Sequence, residues 1–171
     1  CALSANKEIN SDTIYSKKPM YISSYKSVVY KNCGELPTVQ FGSCNLGSLD
    51  ISKFYDEKRE DINWELFKDA IHIAIQFLDD VIDVNKFPTP QFYEWAIKNR
   101  PVGLGIMGWA DLLLKMKIAY GSQQSTKLAK KICKFLLDEA HNKSVQISKE
   151  KGTPDSCKFK ELGFRRNITL L

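Results

Sequence analysis

The chain has 171 residues, of which 43% are hydrophobic, and a formal net charge of +5. That length can bury one real core. Its lysines are interspersed with acids rather than gathered in a stripe, which argues against direct nucleic-acid binding through phosphates. No apolar run approaches a membrane span, and no basic-then-apolar leader opens the chain, so a reducing, cytoplasmic setting is expected.

Residues 1–30 are polar and rich in Ser and Lys, and read as a loop lead-in with a strand near residues 27–30. From Asp61 the pattern turns helical. Asp61 reads as the N-cap, Glu65 places an acid in the first turns, and Leu66, Ala70, Ile73, Phe77 and Val81 recur at helical spacing as the expected buried stripe. The stretch Phe87-Pro88-Thr89-Pro90 ends that helix, and Pro90 opens a second. A third is expected over residues 107–116. The longest starts near Ser122 and continues until Gly152, with Leu128, Ile132, Phe135, Leu136, Ala140 and Val145 as its buried stripe.

Five cysteines, Cys1, Cys33, Cys44, Cys133 and Cys157, are an odd number with no C-x-x-C pair. His72 and His141 fall on different helices far from any cysteine cluster, which argues against a zinc site, and each reads as a surface or satisfied core residue. Cys133 follows Ile132 within the long helix and reads as packing filler. Gly103, Gly105 and Gly108 match G-x-G-x-x-G, but the preceding segment is a helix, not a buried strand, and no βαβ unit is expected to follow. Those glycines read instead as allowing a short strand and a helix near Trp109 to pack closely, the helix against the one that carries Phe77. Asp79, Asp80 and Asp83 lack the Glu-x-x-His partners of a di-iron bundle and read as the solvated end of an amphipathic helix.

The stretch Lys31-Asn32-Cys33-Gly34-Glu35 is less ordinary. A thiol and a carboxylate at i and i+2 on an extended segment point to one side, and Gly34 leaves room for a ligand. Together they could address one small molecule, the sulfur removing hydrogen and the acid handling a proton. Cys44 stands among Ser43, Asn45 and Gly47, a better setting for an accessible redox thiol than for filler. Packing remains an equal reading of these residues taken alone.

Seven segments in order carry a resemblance: Cys33-Gly34-Glu35, the stretch 44–54 (CNLGSLDISKF), 77–88 (FLDDVIDVNKFP), 100–113 (RPVGLGIMGWADLL), 119–122 (AYGS), 150–152 (EKG) and 165–167 (RRN). Their wording and spacing resemble the catalytic subunit of ribonucleotide reductase, most of all its adenosylcobalamin-dependent dimeric type.

The resemblance implies an α/β fold, a helix-rich segment of a ten-stranded α/β barrel with the active-site cysteine on an inserted loop. Residues 1–30 would be the lead-in and 31–171 the barrel segment. It implies that Cys33 becomes the thiyl radical that abstracts the ribose 3′-hydrogen, and that Glu35 takes the 3′-hydroxyl proton. Cys44 would be half of the dithiol that reduces the sugar. Adenosylcobalamin would supply the radical, or else a metal-containing small subunit would. Expected partners are a ribonucleoside di- or triphosphate, a thioredoxin-like reductant, and a complementary chain or the remainder of the catalytic subunit.

The family pattern has Asn two residues before the radical cysteine. Here Lys31 holds that place and Asn32 the next. A one-residue shift on an extended segment turns a side chain to the other face, so Asn32 meets the ribose hydroxyls only if the loop bulges. Both ends read as cuts through a longer polypeptide, and the isolated chain is expected not to turn over. The alternative is a catalytically silent fragment that serves as an assembly partner for another chain.

Overall fold

The computed structural model describes residues 29–30, 37–38, 41–154 and 167–170. Two short strands, β1 (Val29–Tyr30) and β2 (Pro37–Thr38), pair antiparallel with Val29 opposite Thr38 and Tyr30 opposite Pro37. The expected strand near residues 27–30 is thus present at Val29 and Tyr30. The next strand, β3 (Asn45–Asp50), runs into a 3-10 turn at Ile51–Phe54, and a small ribbon of β4 (Tyr55–Asp56) and β5 (Asp61–Ile62) follows. Then come helices α1 (Trp64–Val84) and α2 (Pro90–Asn99), strand β6 (Pro101–Met107), helices α3 (Trp109–Lys115) and α4 (Gln123–Lys151), and strand β7 (Asn167–Leu170).

The central sheet has the order β3-β6-β7, all parallel. Asn45 lies opposite Val102 and Asp50 opposite Met107, while Pro101 lies opposite Asn167 on the other side. Each crossover passes through two helices, and each new strand adds beside the last. This is the winding of an α/β barrel segment. It corrects the expectation that no βαβ unit follows the glycine motif: β6, α3, α4 and β7 form one. The short strand expected there is β6, but it is paired on both edges, and such strands read as continuous buried runs rather than alternations. Residues 101–105 are all buried.

Helix boundaries follow their caps. Asn63, not Asp61, caps α1, its side chain accepting from the Leu66 amide at 3.1 Å. Asp61 is instead held in β5, where its Oδ1 accepts from the Ile62 amide at 2.7 Å. Pro90 opens α2 and Arg100 ends it in the left-handed region, at φ 43°. Ser122 caps α4 and Gly152 stops it at φ 83°, as the sequence indicates.

The core lies between the sheet and the pair α1 and α4. Phe67, Ile71, Ile75, Leu78 and Ile82 of α1 meet Val102 and Leu104 of β6 and Ile132, Leu136 and Ala140 of α4. Full burial of such side chains contributes about 1.5–3 kcal/mol each. Trp64, Phe67 and Phe135 close one end, with Phe67 and Phe135 stacked at 5.8 Å between centroids.

The expected stripe of α1 is corrected. Ile73 is 70% exposed and Phe77 65%, and Leu66 is also exposed. Helix α1 is apolar on two faces, and a 3.6-residue period marks both equally well. Contact with β3 and β6 selects the face of Ile71 and Ile75. Cys133 is likewise exposed rather than filler, one position round the helix from the buried Ile132.

Candidate active site

Asn32, Cys33 and Glu35 belong to residues 31–36, between the paired positions Tyr30 and Pro37. They lie outside the described residues, as do Lys31, Cys1 and Cys157. Cys44 is described. It stands one residue before β3 with a half-buried thiol, not sealed in an apolar core. Its Sγ donates to the Asn45 carbonyl at 3.5 Å.

Asn45 ties this end of β3 to α1. Its Nδ2 donates to the Leu78 carbonyl at 3.3 Å. Two residues on, Gly47 lies under the same leucine: a Cβ there would stand 3.6 Å from both Leu78 methyls. Leu78 therefore grips β3 twice, once by its backbone and once by its side chain.

The next residue of α1 carries the heaviest electrostatic feature among the described residues. Asp79 is fully buried and Arg100 is 4% exposed. Arg100 Nε and Nη2 donate to Asp79 Oδ1 at 3.0 and 2.8 Å, and Nη2 also donates to the Asp79 carbonyl at 3.0 Å. Arg100 Nη1 reaches Asp83 Oδ1 at 2.5 Å, and Lys151 Nζ reaches Asp80 Oδ1 at 2.5 Å. The Lys151 hydrogen bond is the main cause holding the Asp80 carboxyl below its ordinary range.

This corrects the reading of the three aspartates as a solvated helix end for Asp79 alone, since Asp80 and Asp83 remain about half exposed. Asp79 falls on the buried face one turn after Ile75, where an unpaired carboxylate could not persist, and Arg100 supplies the partner. The three carboxylates lie within 4.8 Å of one another, close enough to hold a cation, but a guanidinium and an ammonium already occupy that role. The sequence signal was available: an Asp in step with Ile71 and Ile75 calls for a buried cation.

The glycine motif divides in two. Gly103 and Gly105 are interior to β6, opposite Leu46 and Ser48. Only Gly108 stands at a helix start, at φ 74°, where a Cβ would overlap Asp50 Oδ1. Asp50 in turn accepts from the Ser52 hydroxyl at 2.7 Å and the Ser52 amide at 3.1 Å, and the hydroxyl bond leads in lowering its pKa. An ionised carboxylate beside the first amides of a seven-residue helix opposes a phosphate there. The expected packing of this helix on the one carrying Phe77 is corrected. Helix α3 lies mainly on the 3-10 turn, where Lys115 Nζ donates to the Ser52 carbonyl at 2.8 Å.

The histidines are satisfied rather than clustered. His72 Nε2 meets Glu139 Oε2 at 2.8 Å and links α1 to α4. His141 is half-buried on α4.

Comparison with known proteins agrees with this framework. The family model for the ribonucleotide reductase barrel domain matches residues 8–168. The vitamin B12-dependent ribonucleoside-diphosphate reductase of Thermoplasma acidophilum is 39% identical over 120 residues, 70% of this chain and 16% of that protein. The protein of the same description from Mycobacterium tuberculosis is 37% identical over 139 residues, 79% of this chain and 20% of that one. Among solved structures, the class Id ribonucleotide reductase alpha subunit of Actinobacillus ureae superposes with a TM-score of 0.67 at 26% identity, covering 86% of this chain and 28% of that one. The chain therefore spans a fifth or less of the length of these curated relatives. Its parallel strands, paired helical crossovers and seven ordered motifs have one common explanation: the chain belongs to the ribonucleotide reductase barrel-domain family.

Proposed function

We propose that this chain is a segment of a ribonucleotide reductase catalytic subunit that reduces ribonucleotides to deoxyribonucleotides. The observation that carries this reading is the family match across residues 8–168, which includes Cys33, Glu35 and Cys44 in one run. The parallel winding of β3, β6 and β7 supports it by supplying the barrel frame. In the complete subunit these strands would be part of a ten-stranded barrel, with Cys33 on a loop inserted into it.

Within that reading Cys33 abstracts the ribose 3′-hydrogen, Glu35 accepts the 3′-hydroxyl proton, and Cys44 is one half of the dithiol that reduces the sugar and ends as a disulfide. Asn32 contacts the ribose hydroxyls if the loop bulges. The half-buried Cys44 thiol suits this role, since a dithiol must meet both substrate and an external, thioredoxin-like reductant.

Adenosylcobalamin would supply the radical, as the names of the Thermoplasma and Mycobacterium relatives suggest. A thiol at position 33 has the chemistry to receive it. A metal-containing small subunit is the other source. The substrate is a ribonucleoside di- or triphosphate, the remaining partner is the rest of the catalytic subunit, and the setting is cytoplasmic.

The test replaces each thiol in the full-length catalytic subunit. Cys33→Ser abolishes product, because a hydroxyl is far harder to convert into the required radical. Cys44→Ser stops dithiol-coupled turnover while exchange at the ribose 3′-hydrogen persists. Full turnover by Cys33→Ser would sink the assignment. A second reading, a catalytically silent assembly partner, draws on Lys31 at the family's asparagine position, and it requires that Lys31→Asn leave the chain inert.

A further inference from the structure

We infer that Arg100 is a positioning residue for the Cys44 thiol, acting through Asp79 and the Leu78–Asn45 contact. The inference rests on the reading of Cys44 as a redox thiol, and it names what sets the reactivity of that sulfur.

The contacts form one continuous path. The Cys44 thiol leans on the Asn45 carbonyl, and the Asn45 side chain hangs from the Leu78 carbonyl. The adjoining carbonyl, that of Asp79, is held by Arg100 Nη2, and the Asp79 carboxylate by Nη2 and Nε. Arg100 is also the residue before β6, and Val102 two positions on is the register partner of Asn45. The guanidinium thus fixes α1 relative to β6 at the level where β3 begins. Both ends of the Asn45 contact are then set by one buried group.

The chemistry requires arginine. One planar fork serves the Asp79 carboxylate, the Asp79 carbonyl and Asp83 together, which the single ammonium of lysine cannot reproduce. With lysine at position 100 the turn containing Leu78 loses its brace, the Asn45 hydrogen bond lengthens, and the Cys44 backbone is released. A mere stabilising role would loosen the domain everywhere. A positioning role changes one thiol.

The experiment uses the full-length chain and follows carbamidomethylation of individual cysteines by iodoacetamide, resolved by peptide mass spectrometry. Cys133, exposed on α4, is the internal control. Arg100→Lys and Asn45→Ala each raise the Cys44 rate by about fivefold or more, while Cys133 stays within about twofold. The double variant reacts no faster than the faster single one, since both cut the same path. Should Arg100→Lys fail to fold, Asp83→Ala removes one partner of the guanidinium at a half-exposed position and shifts Cys44 in the same direction by a smaller factor.

An unchanged Cys44 rate in the arginine or Asp83 variants overturns the inference. So does a parallel rise at Cys44 and Cys133, or multiplication of the two single effects. The functional reading fails separately, if Cys44→Ser sustains full dithiol-dependent turnover.

Discussion

Arg100 and Asp79 form a two-donor contact to a single carboxylate oxygen, with side chains 5% and 0% exposed. Removing Asp79 leaves the buried Arg100 guanidinium with only the half-exposed Asp83 as an ionic partner among the described residues. Asp79→Ala therefore costs about 3–5 kcal/mol of unfolding free energy, little altered by added salt. Lys134→Ala breaks only the exposed pair with Asp138 and costs no more than about 0.5 kcal/mol. Urea titrations of both variants at low and high salt make the comparison, and equal losses would remove the special status of the buried pair.

Neighbouring isoleucines on α1 separate its two apolar faces. Ile75 is fully buried and Ile73 is 70% exposed. Ile75→Ala is expected to cost about 2–5 kcal/mol. In the 171-residue chain, Ile73→Ala should remain within about 0.5 kcal/mol. The reverse ranking in thermal or urea unfolding would restore the Leu66, Ile73 and Phe77 stripe as the core.

At Gly108 two costs coincide. The backbone lies at φ 74°, and an added Cβ would run into the Asp50 carboxylate. Gly108→Ala should destabilise by about 1–3 kcal/mol and raise the Asp50 pKa by displacing it from Ser52. Carboxyl NMR titration of Asp50 reads the second effect, and an unmoved pKa would contradict the packing described.

His141 gives a pH dependence. Burial pushes its imidazole below the ordinary 6.5, against a smaller opposing pull from Asp138. Between the lowered folded value and 6.5 the unfolded chain binds a proton that the folded chain does not, so stability rises with pH across that window. The contribution is complete above 6.5 and is lost as pH falls through the folded value. His141→Gln should flatten this part of the stability profile. It should leave the separate acid limb from Asp50 and Asp80, whose lowered pKa values place their loss below 3.8. An unchanged slope just below pH 6.5 in the variant would show that another group titrates there.

Local signals were legible without the fold. Pro90, Ser122 and Gly152 mark helix ends because φ restriction, side-chain capping and the left-handed backbone act within a few residues. The ordered motifs from Cys33 to Arg165 carried the family, since they are properties of the chain itself. Partnership was not legible in the same way. Which apolar face of α1 is buried depends on β3 and β6, and whether Asp79 is solvated depends on Arg100, 21 residues away. The sequence by itself determined where helices start and stop and which residues carry thiol and carboxylate chemistry. Only the tertiary structure decided that Asp79 is buried, that Ile73 is not, and that the Asn45 link joins Cys44 to α1, because burial and pairing arise between segments that the chain order keeps apart.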